Sequence, residues 1–323
     1  MKAVISRKSG SPEWLELCEI EKPIPGDDEI LVKIHAATVT YGDVHLRKLS
    51  LPMVWLLGLF GMPRKQIQGH ELAGKVEAVG RNVKAYKPGD QVFGTTSGLK
   101  VGSCAEYVCL SVDRKRGMLA EKPSNMTYQQ AAAVPIGGMT AHQILSSGDI
   151  QPGQDVLIYG ASGSVGTYAI QLAKYYGAQV TAVCSAANFE MVRSIGAEQV
   201  IDYTQEDFTK NGQTYDVIFD AVRKISSSSC KGSLKQGGTF LSASAPTSEK
   251  NEDLIFLKGL IEAGKLQAVI DRCYPLEDIV EAYRYVEQGH KKGNVVITVV
   301  DDSIPGKNLT QPNRDPTAWH QVG

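Results

Sequence analysis

Residues 160–166 read Gly-Ala-Ser-Gly-Ser-Val-Gly, and they join a strand-like run, DVLIY (Asp155–Tyr159), to a helix-like run, SVGTYAIQLAKYYG (Ser164–Gly177). A strand entering a helix through a turn of small residues is the opening half of a βαβ unit, and few local patterns restrict a fold so tightly. In Ala161-x-Gly163-x-x-Gly166, the small residue at 161 permits the tight turn. Gly163 lets the backbone approach a pyrophosphate, and Gly166 allows the helix to pack closely on the strand. The helix N-terminus then offers amide donors and the positive end of a dipole to phosphate groups. Ser162, Ser164 and Val165 lie in the same segment and share its candidate role in holding a dinucleotide.

The surrounding pattern extends this unit. QVTAVC (Gln179–Cys184), YDVIFDAV (Tyr215–Val222) and GGTFLSAS (Gly237–Ser244) read as strands, FEMVRSIGA (Phe189–Ala197) reads as a helix, and Gly177 suits a helix C-terminal cap. Alternation of this size predicts a doubly wound parallel sheet. The first 120 or so residues differ. EILVKIHAATV (Glu29–Val39), ELAGKVEAVG (Glu71–Gly80) and DQVFGT (Asp90–Thr95) are short apolar runs between Gly/Pro turns, which predicts a β-barrel-like module. LEDIVEAYRYVEQG (Leu276–Gly289) is an amphipathic helix with Leu276, Ile279, Val280, Tyr283 and Val286 on one face, and GNVVITVV (Gly293–Val300) reads as a strand. Residues 303–323 have no periodicity and read as a mobile tail.

A length of 323 residues suits about two domains. With 34 Lys+Arg against 35 Asp+Glu, the net charge of −1 argues against nucleic acid or an anionic membrane as partner. No run reaches the roughly 18 apolar residues of a membrane span, and the N-terminus lacks a signal-peptide pattern. Six cysteines without a CxxC pair read as free thiols of a cytoplasmic protein.

The end of the second strand of a dinucleotide fold selects the cofactor. An acid there would bind the ribose 2′-hydroxyl of NAD. Here Val183-Cys184 runs into Ser185-Ala186-Ala187-Asn188, and a neutral hydroxyl accepts a 2′-phosphate without repulsion. The reading is NADP(H), although no Arg or Lys sits in that turn.

The strings GHELAGKVEAVG (Gly69–Gly80), KPGDQVFG (Lys87–Gly94) and AAAVPIGGMTAHQIL (Ala131–Leu145), followed by the glycine turn, resemble the medium-chain dehydrogenase/reductase superfamily in order and kind over about residues 1–300. The resemblance implies a GroES-like β-barrel catalytic domain (1–122 and 267–302) interrupted by a Rossmann cofactor domain (123–266). Zinc alcohol dehydrogenases of that superfamily use a Cys-x-x-Asp, a Gly-His-Glu and a distant Cys. This chain has Thr40-Tyr41-Gly42-Asp43 and Ile136 at the cysteine positions, so only His70 and Glu71 remain, too few for a three-ligand zinc site. It resembles instead the zinc-independent quinone oxidoreductase-like branch, which reduces quinones and α,β-unsaturated carbonyls with NADPH.

That resemblance places Thr40 and Asp43 as a polar pair beside the nicotinamide and Thr140 near it. Ser185 and Tyr203 fall around the adenosine 2′-phosphate, and Asn294 at a cofactor contact where the domains meet. Asp43 also suits a helix cap, and Tyr203 a packed core ring. His70 reads as a polar residue of the cleft wall and not as a catalyst. The family places an extra strand and helix after the GGTFLS strand, where this chain has only Ala243–Lys250. The edge strand that would pair a homodimer is therefore in doubt, and the sheet is expected to be one strand short.

The implied chemistry is hydride transfer to a small hydrophobic carbonyl or quinone. Without zinc, the developing oxyanion needs Thr40, Tyr41 or a bound water as donor. Leu51–Phe60 reads as a greasy lid or as interior packing. A zinc-dependent alcohol dehydrogenase, or an atypical one with an unusual or absent metal, and a non-catalytic NADPH-binding protein remain as alternatives.

Overall fold

In the computed structural model, which describes residues 1–48, 66–96, 101–112 and 117–300, the strands sort into three sheets. In chain order they are β1 (Lys2–Ser6), β2 (Leu15–Glu19), β3 (Glu29–Val39), β4 (Gln66–Ile67), β5 (Glu71–Val79), β6 (Gln91–Thr95), β7 (Tyr107–Ser111), β8 (Met118–Glu121), β9 (Asp155–Tyr159), β10 (Gln179–Cys184), β11 (Gln199–Asp202), β12 (Tyr215–Asp220), β13 (Leu234–Ser242), β14 (Ile270–Pro275) and β15 (Asn294–Thr298). The helices that bear on the site are α1 (Tyr41–Lys48), α2 (Tyr128–Ala132), α3 (Pro135–Ser146), α4 (Ser164–Tyr175), α5 (Phe189–Ser194), α6 (Ser227–Cys230), α7 (Asn251–Glu262) and α8 (Ile279–Glu287).

β1, β2 and β4 form a small antiparallel sheet. The largest sheet runs β14-β15-β3-β5-β6-β8, with β7 also on β3. β3 is its hub. Ile30, Val32, Ile34, Ala36 and Ala37 are fully buried, which is why this run is apolar almost without alternation. β15 comes from the far end of the chain and pairs antiparallel with β3, from Val295 opposite Val39 to Thr298 opposite Ala36. Its β-branched Val295, Val296 and Ile297 are fully buried, so the late strand completes the early sheet. This is the GroES-like unit.

The third sheet is wholly parallel, in the order β11-β10-β9-β12-β13. β9 is central, with β10 and β12 leaving it on opposite sides. A ligand crevice therefore opens at the carboxyl ends of these strands, where the strand order reverses. Among the described residues the sheet has five strands and stops at β13, and the chain passes through Ala243–Lys250 straight into α7, in keeping with the shortened connection. Leu254, Leu257 and Ile261 of α7 and Ile170 and Leu172 of α4 fill one core cluster with the sheet. The Tyr168 hydroxyl of α4, fully buried, donates to the Ala133 carbonyl at 2.9 Å and ties α4 to the α2–α3 link.

Element boundaries depart from the sequence reading at definable points. α5 ends at Ser194 because Gly196 takes φ +118, a left-handed position that stops the helix. β13 begins at Leu234, before the GGTFLS run, because the ladder slips between Tyr215 and Val217 and Gly237, at φ +80, lets the strand bulge and resume. The helix expected over 276–289 opens as a 3₁₀ turn, Leu276–Asp278, before α8. Leu51–Phe60 and residues 303–323 lie outside the described residues. No described helix is long and apolar enough to cross a membrane, and all six cysteines are free thiols.

Candidate cofactor crevice and active site

The glycine turn is built as its spacing requires. Gly160, at φ +78, begins it, and the amides of Gly160 and Ala161 both donate to the Val183 carbonyl of β10 at 3.0 and 3.1 Å. A Cβ on Gly166 would lie 2.3 Å from the Gly160 oxygen and 2.8 Å from two Ala161 backbone atoms, so no side chain fits there. Gly163 is the opposite case. A Cβ there would meet nothing nearer than the Gly160 oxygen at 3.5 Å, which leaves an open cradle above the turn. Gly163 is also the N-cap of α4 and carries no side chain to occupy the first-turn amides. These groups fit a nucleotide pyrophosphate.

The turn is clamped from the other unit. The Gly293 amide donates to the Ser162 carbonyl at 2.8 Å, and Gly163 and Gly293 form an isolated parallel bridge. Ser164 Oγ donates to Asn294 Oδ1 at 2.5 Å, while Asn294 Nδ2 donates to the Val269 carbonyl at 3.1 Å. Asn294 is only 4 % exposed, and both ends of its amide are engaged. The structure thus places it as a strut beneath the turn.

At the ends of β10 and β11, the pairing of Cys184 with Asp202 sets Ser185 beside Tyr203. Ser185 Oγ accepts from Asn188 Nδ2 at 3.1 Å. Asn188 is buried and its Oδ1 has no hydrogen-bond partner. Tyr203 is 51 % exposed, with its ring 6.5 Å from that of Tyr159, so it is not a packed core ring. Asp202 also belongs to this corner. Its carboxylate accepts from the Thr204 amide and hydroxyl, at 2.9 and 2.8 Å, and these bonds hold its pKa below the usual range.

Thr40 and Asp43 belong to the other unit, at the start of α1. They form a reciprocal cap on α1: the Asp43 amide donates to Thr40 Oγ1 at 3.1 Å, and Asp43 Oδ2 accepts from the Thr40 amide at 2.7 Å and its hydroxyl at 2.6 Å. The capping role is therefore real, but it uses only one oxygen of the buried carboxylate. Asp43 Oδ1 holds His70 Nδ1 at 2.5 Å. Burial opposes charge on the His70 ring, yet the charge and hydrogen bond of Asp43, helped by Glu249 and Glu71, outweigh it and raise the His70 pKa. Glu249 comes from the short Ala243–Lys250 connection, where its Oε2 accepts from Thr95 Oγ1 at 3.0 Å. Tyr41 is 60 % exposed and stacks at a tilt on His45, with ring centroids 4.0 Å apart. Thr140 sits half-buried on α3.

Glu71 joins the two units. It is fully buried, accepts from Thr38 Oγ1, and through Oε1 accepts from the Ile136 amide of α3 at 2.6 Å. Burial pushes its pKa up to about 7. Half-buried Lys291 donates to the Gly293 carbonyl at 2.5 Å, and burial pushes its pKa down to about 8. The sequence reading saw Glu71 only as part of Gly-His-Glu and passed over Glu249 and Lys291, whose places are set by contacts distant in sequence.

These donors do not fit a zinc ion. Asp43 has both oxygens engaged, Thr40 and Ile136 stand where thiolates would be needed, and the described residues hold no group of three or more His, Cys, Asp or Glu able to take a metal.

A two-unit α/β chain with an open glycine turn at the carboxyl end of its parallel sheet and a buried acid–imidazole pair has the build of a nicotinamide-dependent oxidoreductase. Residues 26–140 match the alcohol dehydrogenase GroES-like domain family, and residues 164–270 the zinc-binding dehydrogenase family. The 2-methylene-furan-3-one reductase of Solanum lycopersicum is 33% identical over 320 residues, 92% of this chain and 79% of its own. The chloroplastic NADPH-dependent alkenal/one oxidoreductase of Arabidopsis thaliana is 32% identical over 317 residues, with the same 92% and 79% coverage. The quinone oxidoreductase structure from Coxiella burnetii superposes with a TM-score of 0.79 at 28% identity, over 93% of this chain and 99% of that one. The chain belongs to the medium-chain dehydrogenase/reductase superfamily, among its quinone oxidoreductase-like members.

Proposed function

We propose that this chain reduces a small hydrophobic quinone or α,β-unsaturated carbonyl with NADPH and without a metal. The observation that carries the reading is the Thr40–Asp43–His70 chain, which stands where a zinc dehydrogenase would assemble its ligands. The printed names of the relatives, an alkenal/one oxidoreductase and a quinone oxidoreductase, support the acceptor class. When bound, the dinucleotide supplies a hydride; the rest is the work of side chains.

On this reading residues 123–266, with Ala161–Gly166 and Thr140, hold the cofactor, and residues 1–122 with 267–302 form the opposite wall. Ser185 and Tyr203 supply hydroxyls to a 2′-phosphate, and Asn294 keeps the turn in place. Asp202 brings negative charge to the same corner, so NADPH selectivity rests on those two hydroxyls. In the resting site the Thr40 proton points to Asp43. The exposed Tyr41 hydroxyl and the remaining His70 nitrogen, Nε2, are then the donors for charge developing on the acceptor oxygen. Asp43 fixes the imidazole tautomer and favours its protonated form, which makes His70 the proton source that the sequence did not reveal.

The test is NADPH consumption with an ortho-quinone and an enal after dialysis against a chelator, with NADH in parallel. Turnover should survive chelation and favour NADPH. Asp43→Asn should lower kcat about tenfold or more with both acceptors, and Thr40→Val less, with NADPH affinity unaltered. Unaltered rates in both variants would sink the site assignment, and loss of turnover on chelation would restore the metal dehydrogenase. Equal use of NADH would remove the 2′-phosphate reading and leave the hydride chemistry standing.

A further inference from the structure

The short Ala243–Lys250 connection, where the resemblance expects a further strand and helix, is pinned from both units. On the cofactor side the Ser248 amide donates to Gln143 Oε1 of α3 at 3.0 Å, and Gln143 Nε2 donates back to the Ser248 carbonyl. On the GroES-like side Thr95 Oγ1 of β6 donates to Glu249 Oε2 at 3.0 Å. Asn251 Nδ2, at the start of α7, donates to the Leu119 carbonyl of β8 at 3.3 Å. Residues 248–251 thus form a strap across the contact of the two units, and Glu249 is the acidic residue in it.

The strap is anchored beside His70. Thr95 pairs with Glu71 across β5 and β6, and the next amide, that of Thr96, donates to the His70 carbonyl at 2.7 Å. Glu249 and His70 lie close enough for each to feel the other's charge. The other two carboxyl groups nearby are engaged. Asp43 serves the Thr40 cap and the imidazole, and Glu71 accepts from Thr38 Oγ1 and the Ile136 amide. Glu249 is exposed, and its Oε1 has no hydrogen-bond partner among the described residues.

We propose that Glu249 is a specificity residue of the acceptor site, where its charge turns away anionic quinones and carbonyls and admits neutral ones. The inference rests on the reading of His70 as the proton source for the acceptor oxygen. An acceptor within reach of His70 is then within range of the Glu249 carboxylate. Two like charges about 6 Å apart in a partly shielded site cost about tenfold or more in affinity. Rejection of this kind needs no new contact, only a charge that does not swing away, and Thr95 supplies the tether.

The test compares kcat/KM for 1,2-naphthoquinone and 1,2-naphthoquinone-4-sulfonate, with NADPH at pH 7.5, in wild type, Glu249→Gln and Glu249→Lys. The two acceptors share the reacting ring and differ in one fixed negative charge. The ratio of sulfonate to neutral quinone should rise about tenfold in Glu249→Gln and further in Glu249→Lys. Glutamine keeps an acceptor for Thr95, and any change passed through His70 falls on both quinones and cancels in the ratio. Between about 50 and about 500 mM KCl the ratio should rise in wild type, and rise less in the glutamine variant, because salt screens the repulsion. An acid that merely braced the strap would give neither response. Equal ratios in all three proteins, with both quinones reduced, would overturn the proposal and leave the acceptor class standing. A salt response as steep in Glu249→Gln as in wild type would overturn it too. Failure of wild type to reduce 1,2-naphthoquinone would refute the acceptor reading itself, and this proposal with it.

Discussion

Alanine at Gly163 is expected to remove NADPH binding from a protein that remains as stable as wild type, while alanine at Gly166 damages both. The two glycines stand three residues apart in one turn and differ in what a methyl group would meet. At Gly163 it enters the open cradle, with its nearest neighbour, the Gly160 oxygen, at 3.5 Å. That is ordinary contact distance, and the backbone there is extended and open to any residue. The methyl group instead occupies the volume through which a pyrophosphate must approach the α4 amides, so affinity should fall at least about 100-fold, since charge-assisted bonds to phosphate are lost together. At Gly166 the methyl would lie 2.3 Å from the Gly160 oxygen and 2.8 Å from Ala161. Both obstacles are backbone, so α4 itself must back away. Overpacking of this kind costs about 1–3 kcal/mol. It also pulls against the Tyr168–Ala133 hydrogen bond and the close approach of α3, where a Cβ on Gly137 would be 2.4 Å from Ser164 Oγ. Calorimetric titration with NADPH and urea unfolding separate the cases. Wild-type affinity in the Gly163 variant would show that no phosphate approaches that backbone.

How far the sequence foretells this molecule depends on how local each feature is. The glycine turn, the strands on either side of it and the end of α4 at Gly177 are each specified within a few neighbouring residues, and they lie where periodicity places them. β3 shows itself through a nearly continuous apolar run, because a strand buried on both faces has no polar face. Thr40 and Asp43 are legible as a pair, but sequence alone does not divide the capping role from the cleft role, and the structure shows one carboxylate serving both. The rest of the site is assembled over distance. His70 meets Asp43 across 27 residues, and Glu249 reaches Thr95 across 154. No short window of sequence contains both partners, so these contacts are not legible locally. The resemblance puts Asn294 at the cofactor, and the structure adds that its amide bonds Ser164 and the Val269 carbonyl, partners 130 and 25 residues away. The β13 bulge eluded the reading because it depends on a slip against β12.

Glu71 carries the largest expected dependence on pH. It lies at the contact between the units, fully buried, with a pKa of about 7 in place of 4.5 because burial disfavours its charged form. The hydrogen bonds from Thr38 Oγ1 and the Ile136 amide act in the other direction and fall short. A folded-state pKa above the unfolded one means that the native protein holds the proton more tightly. The resulting stability is fully present below pH 4.5 and is lost as pH rises through 7, a loss of about 3 kcal/mol when complete. Glu71→Gln keeps an acceptor of similar shape and removes the titration. Urea unfolding at pH 5, 6, 7 and 7.5 should therefore show wild-type stability declining relative to the variant as pH rises. The comparison is of slopes, so any constant penalty from the new amide cancels. The neighbouring groups do not mimic the effect. Lys291 titrates at about 8, above most of the window, and loses an attractive partner in the variant, which trims the difference only at its upper edge. His70, raised by Asp43 and to a lesser degree by Glu249 and Glu71, also loses stability as pH rises, and it does so in both proteins apart from the small share that Glu71 supplies. Parallel pH profiles would mean that Glu71 is ionised and compensated in the folded state, with Lys291 of its own unit as partner, and that the group accepting from the Ile136 amide across the contact is a carboxylate instead of a neutral carboxyl.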